Sequence, residues 1–186
     1  IQSLERSKSS FQCWMAQHLL KVNEDQTDFI IFGSNDSIKR LPCYTLRVGQ
    51  SEIEQNVKVK NVGFIMDHTH SNEQQINNIC RIAFIQLRNL FRIKCFIDRD
   101  SLEILIHAFI TSRLDYCNAL LVGTNEFLVS KLQRLQNACA RLLTDTPRFD
   151  HITPVLIDLH WLPVKQRIAS VRPSSFSSDW SSIFFL

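Results

Sequence analysis

Between Glu73 and Leu143, apolar residues return at helical spacing in three successive stretches, and this limits the possible folds more than any other feature. In the first stretch Ile76, Ile79, Cys80, Ala83, Leu87 and Leu90 lie along one side of a helix ending near Phe91. The second opens at Asp100 with Glu103, a capping-box-like pair. It runs through Leu102, Leu105, Ile106, Phe109, Cys117 and Leu120, and Gly123 is a natural C-terminal stop. The third runs from about Asn125 to Leu143 with Leu128, Leu132, Leu135, Cys139 and Leu142 on one stripe. Successive helices with one apolar stripe each and short links bury those stripes against one another, which predicts a helical bundle. Thr153-Pro154 reads as an N-cap followed by Pro at the first helical position, and Pro163 opens a further short helix. The predicted core includes Ile79, Leu87, Leu105, Phe109, Leu132, Leu135 and Trp161, and Trp14 is a second aromatic anchor.

The first third has another character. Ile1 to Leu20 reads as a helix with Leu4, Phe11, Trp14, Met15 and Leu19 loosely on one side. Phe29 to Phe32 is a short apolar run ending at Gly33, the pattern of a buried strand. Leu46 to Val48, Ile53, and Val57 to Met66 supply further strands, with Gly49-Gln50-Ser51 as a hairpin turn. The fold class expected is therefore α+β. After Ser170 the chain is rich in Ser without periodicity, ends Ile183-Phe184-Phe185-Leu186, and reads as disordered.

With 186 residues, 45% of them apolar, the chain can bury one core, or a core plus an appendage. No signal peptide is expected from the first ten residues, and the apolar run around Leu102 to Ile110 is broken by Glu103 and His107. The six cysteines are scattered, with no Cys-x-x-Cys, which points to reduced thiols in the cytoplasm or nucleus rather than a secreted disulfide framework. Residues 1–72 carry 8 Lys+Arg against 8 Asp+Glu, whereas residues 73–172 carry 13 against 9. The helical half is thus the basic half, compatible with phosphate contact.

Four stretches, in order, resemble blocks of LINE-type (non-LTR) retrotransposon reverse transcriptases. They are Val59-Lys60-Asn61-Val62-Gly63, Ser112-Arg113-Leu114-Asp115-Tyr116-Cys117-Asn118, Leu135 to Leu143, and His151 to Leu156 with Leu159-His160-Trp161-Leu162-Pro163-Val164. The resemblance covers roughly residues 10–168. It implies that 1–67 form the C-terminal edge of a polymerase palm, 68–168 a helical thumb-like domain, and 169–186 a disordered Ser-rich tail. It also implies RNA-directed DNA polymerisation as the parent activity, Mg²⁺ as the parent cofactor, and an RNA or DNA template–primer as partner alongside the upstream palm and fingers. No membrane partner is expected.

The polymerase chemistry needs clustered carboxylates for two divalent ions, in that family a Tyr-x-Asp-Asp hairpin. This sequence has no Asp-Asp pair, and Glu24-Asp25, its only adjacent acidic pair, reads as a solvated turn. By the same resemblance Gln26 stands where the family has a Lys that helps protonate the leaving pyrophosphate, a task Gln cannot perform. No catalytic, metal or cofactor residue is therefore expected in this chain.

The candidate nucleic-acid contacts are basic. Arg81, Arg88 and Arg92 share one helix face, and Lys131, Arg134 and Arg141 lie opposite the stripe of the third helix. Arg113 falls on the apolar face of the second helix if that helix is unbroken, and would then need an ion-pair partner. Few aromatics interleave with these cations, so single-strand stacking is not expected. His68-x-His70 has no third ligand at metal spacing and reads as a loop pair. The other reading is a small helical protein-interaction module, or a decayed element product without selected function.

Overall fold

A computed structural model describes residues 2–20, 23, 26–48 and 51–170, with the backbone alone for residues 2–6, 8 and 12. The Ser-rich tail beyond Ser170, the Glu24-Asp25 turn and the Gly49-Gln50 part of the hairpin turn lie outside these residues. The fold is α+β. Helix α1 (Gln2–Gln17) is followed by strand β1 (Phe29–Ile30), helix α2 (Asn35–Lys39), and strands β2 (Thr45–Val48), β3 (Ser51–Asn56), β4 (Lys58–Asn61) and β5 (Phe64–Asp67). Then come α3 (Glu73–Ile93), α4 (Arg99–Ile106), α5 (Ser112–Asp115), α6 (Glu126–Thr144), α7 (Thr153–Asp158) and α8 (Val164–Ser170).

β2 and β3 pair antiparallel, Leu46 opposite Ile53 and Val48 opposite Ser51, and β1 joins the far edge of β3 in parallel. Phe29, Leu46 and Val48 form a small core of their own. β4 and β5 make a separate hairpin whose turn, Val62-Gly63, has positive φ at both residues (46° and 87°). Two-residue hairpins prefer that twist because it matches the twist of the strands. Gly63 adopts it freely, but Val62 is β-branched and is held there at a steric cost.

The helices share one core. Ile76, Ile106, Ile110, Leu132 and Leu135 are all fully buried in it, and Phe64 joins it from β5. Of the predicted core residues, Ile79, Leu132 and Leu135 are buried, while Leu87, Leu105 and Trp161 pack partly buried against them. Phe109 is 44% exposed, contrary to expectation. The reason is a π-helical turn at His107–Thr111 between α4 and α5. The residues facing the core are Leu102, Ile106, Ile110 and Leu114, each four positions after the last. A four-residue repeat outruns the 3.6-residue turn of an α-helix, and the wider π turn absorbs the difference. It rotates Phe109 and Arg113 outward.

Three further expectations are corrected. The cap of α4 is Asp98, whose carboxylate accepts from the Ser101 amide at 3.1 Å, and Asp100 lies within the first turn. The helix ends at Asp115 rather than near Leu120, because Cys117 is left-handed (φ 58°), and a 3-10 turn at Asn118–Leu121 follows. Trp14 is 50% exposed and, among the described residues, meets the rings of Phe11 at 6.4 Å and His18 at 4.5 Å and belongs to neither hydrophobic core.

Among the described residues no helix is long and apolar enough to cross a membrane. All six cysteines are free thiols, and burial pushes the Cys139 thiol up to about 12, so it acts as a small hydrophobe.

Candidate nucleic-acid interface

Helices α3 and α6 run in the same direction. Lys131 donates to Asn77 Oδ1 (2.9 Å) near one end, and Lys94 donates to the Leu142 carbonyl (2.8 Å) and pairs with Asp145 at the other. The second contact caps the C-terminal carbonyls of α6 with a cation, as the helix dipole favours. A parallel pair needs a long crossover, which α4, α5 and the following turn provide.

Between the two helices lies an open groove of about 580 Å³. Phe84, Arg88 and Phe91 line it from α3, and Ala138, Arg141 and Leu142 from α6. Each of the two basic stripes, separate in sequence, contributes one residue to this groove. Arg88 and Arg141 are in its lining, and Arg81 and Arg92 extend the Arg88 face along α3, all three of the α3 arginines being exposed. Arg134, also exposed, shares the Arg141 side of α6, and Lys131 sits partly buried closer to the core.

These cations are not equally available. Arg81 reaches Asn78 Oδ1 at 3.3 Å, one turn back on its own helix. Lys131 is committed to Asn77 and lies 5.0 Å over the Phe127 ring, which holds it in place. Arg141 donates one guanidinium nitrogen, Nη2, to the Asp150 carbonyl at 2.9 Å, while its Nη1 is buried and has no hydrogen-bond partner among the described residues. The one carboxylate in the lining, Asp145, is already held by Lys94.

Arg113 does not join this array. The π turn places it exposed on α5, away from the groove lining, so its expected burial and partner are both corrected. The ion pair in that region is instead Arg167 with Asp115 at 2.5 Å. Two aromatic side chains also belong to this groove. Phe84 and Phe91 are 45% and 68% exposed and line the groove on α3 with Arg88 between them. Their place on the polar edge of the helix, outside the core stripe, was the available signal.

His68 and His70 serve the framework. His68 bonds Asn35 Oδ1 (2.8 Å) and the Val57 carbonyl (3.2 Å) through its two ring nitrogens, and His70 stacks on Phe32 at 4.6 Å. Among the described residues no group of His, Cys, Asp or Glu is placed to hold a metal ion.

The four stretches that carry the family resemblance lie at internal joints. The Tyr116 hydroxyl donates to the Val62 carbonyl, joining the second stretch to the first. The Gln136 amide donates to the Leu162 carbonyl at 2.9 Å, and Gln133 accepts from the Val164 amide at 2.9 Å, so α6 holds the Leu162-Pro163-Val164 corner. Asp115 receives Arg167 from α8. Comparison with family models, with curated proteins and with solved structures gave no match.

Proposed function

We propose that this chain is the palm-edge and thumb portion of a non-LTR retrotransposon reverse transcriptase, an RNA-directed DNA polymerase, and that its own task is to grip template–primer nucleic acid. The observation that carries this reading is that Arg88 of α3 and Arg141 of α6, one from each basic stripe, line one groove between these parallel helices together with Lys94. Support comes also from the four family-like stretches in order, spanning β4 to α8.

The physics is that of backbone tracking. Arg81, Arg88 and Arg92 are spaced by about 10 and 6 Å along the helix axis, at about 1.5 Å per residue. A nucleic-acid strand offers one phosphate per about 3.4 Å of duplex axis, so such a row meets alternate or every third phosphate. Contacts of this kind set register and orientation without reading sequence. Polymerisation itself needs the metal-holding carboxylates of the parent enzyme, which would bind Mg²⁺. The reading assigns this chain grip without nucleotide incorporation.

The rival, a protein-interaction module, draws on the exposed side chains of Phe96 and Phe149 as well as Phe84 and Phe91. An anisotropy titration of the full chain with an RNA–DNA hybrid across salt separates the two. The expected result is binding that weakens linearly on a log–log plot as salt rises, with Arg88→Ala and Arg134→Ala each reducing the slope by about 1. Absence of binding at low salt would overturn the nucleic-acid reading and leave the protein module.

A further inference from the structure

We infer that the α3–α6 groove also takes an unpaired nucleic-acid strand, whose bases stack on Phe84 and Phe91 while its phosphates meet Arg88 and Arg141; this rests on the nucleic-acid reading above and goes beyond its duplex contacts. The core side of α3 is already supplied by Ile76, Ile79, Ala83 and Leu90, each 5% exposed or less. Phe84 and Phe91 add nothing to that core, yet each keeps a large part of its ring in solvent on the groove side. They stand seven residues apart, about 10 Å along the axis. Arg88 lies between them, one turn from each, and Arg141 faces it across the groove.

Alternation of π faces with cations along one track is what a single strand requires, because an unpaired base exposes both faces and its backbone stays charged. A duplex hides those faces in its own stack, so it can use the arginines but not the phenylalanines. An acidic peptide would satisfy the cations without needing flat rings.

The test uses the full chain with two labelled probes, an oligo-deoxythymidine single strand and a blunt RNA–DNA hybrid. Both rings are exposed, so Phe84→Leu/Phe91→Leu should fold, which an unchanged circular-dichroism melt verifies. This double variant should bind the single strand at least roughly tenfold more weakly, as loss of stacked bases demands. Its hybrid affinity should stay within about twofold, and Phe84→Tyr/Phe91→Tyr should restore single-strand binding. Unchanged single-strand affinity in the Leu variant overturns the inference while leaving the hybrid result standing. The inference also falls if the single strand fails to bind where the hybrid does, or if oligo-glutamate of equal charge displaces the strand as well as unlabelled oligo-deoxythymidine. If neither probe binds, the proposed function falls with it.

Discussion

The sheet region, β1 to β5, and the helical region, α3 to α8, solve the problem of burial in different ways. The helices pool their apolar stripes into one core in which Ile76, Ile106, Ile110, Leu132 and Leu135 lose all contact with water. The sheets have strands of two to six residues and, around Phe29, Leu46 and Val48, a core too small to offset much chain entropy. What holds them, besides Phe64 reaching from β5 into the helical core, is directional. Gly33 donates to the His68 carbonyl at 2.9 Å, Asn56 to Asp28 at 3.0 Å, the Ile65 amide to Gln75 Oε1 at 3.1 Å, and Tyr116 clamps the Val62 turn. The difference teaches that the bundle sets the global stability, and that the hairpins keep their order by being tied to it. It also places the cationic groove on the rigid half, where its geometry is kept by packing.

The sharpest way to break this comparison is to excavate each core in turn. Leu135→Ala, at a fully buried site, should cost about 2–5 kcal/mol in urea unfolding and lower the whole transition. Leu46→Ala should loosen amide-exchange protection in β2 and β3 while leaving α3 and α6 protected, since local units open separately. A loss under about 0.5 kcal/mol for Leu135→Ala, far below the buried-leucine range, would mean the bundle core is wrongly assigned. Equal global losses from both variants would mean the two regions form one cooperative unit.

A smaller effect is expected at the joint between the regions. Asp67 ends β5 and accepts from the Thr69 and Ser71 hydroxyls, both at 2.6 Å, and from the Ser71 and Asn72 amides, both at 3.3 Å. Burial pulls its carboxyl upward, but the Ser71 and Thr69 hydroxyls and the Asn72 and Ser71 amides outweigh it and hold the pKa below the ordinary 3.8. A depressed folded-state pKa contributes stability above the unfolded value and loses it as pH falls through the folded value. The thermal midpoint should therefore drop more steeply below pH 3.8 for the native chain than for Asp67→Ala. At neutral pH that variant should lose about 1–3 kcal/mol, because Ser71 and Thr69 are left without their acceptor. A pH profile identical for the two chains would remove Asp67 from the joint.

The smallest effect should be a gain. Val62 is 79% exposed with φ 46°, so its branched side chain contributes strain and little packing. Val62→Asn keeps the carbonyl that Tyr116 uses and tolerates the left-handed region, and should stabilise the hairpin by about 1 kcal/mol. A loss instead would show that the Val62 side chain packs in a way the turn geometry does not reveal.

The bundle was legible because Ile76, Ile79, Ala83, Leu128, Leu132 and Leu135 repeat with the period of the helices that bury them. The strands were legible from short apolar runs, but their order was not, since the parallel pairing of β1 with β3 depends on a register no local pattern carries. Phe109 and Arg113 were misplaced for one physical reason: an unbroken α-helix was assumed where Leu102, Ile106, Ile110 and Leu114 demand a π turn. Within the site the stripes Arg81–Arg88–Arg92 and Lys131–Arg134–Arg141 could be read singly, each as the polar side of a helix. Their meeting required knowing that α3 and α6 are neighbours and parallel, a consequence of tertiary contacts such as Lys131 with Asn77.

The central claim is that nucleic acid lies along α3 and α6 and not on the sheets. Photo-crosslinking with an RNA–DNA hybrid carrying photoactivatable uridine, followed by peptide mapping, tests it most directly. Adducts should fall on α3 between Arg81 and Lys94 and on α6 between Lys131 and Arg141, and should fade as salt is raised. Adducts concentrated on β2 to β5, or none at low salt under conditions that label a known binder, would contradict it.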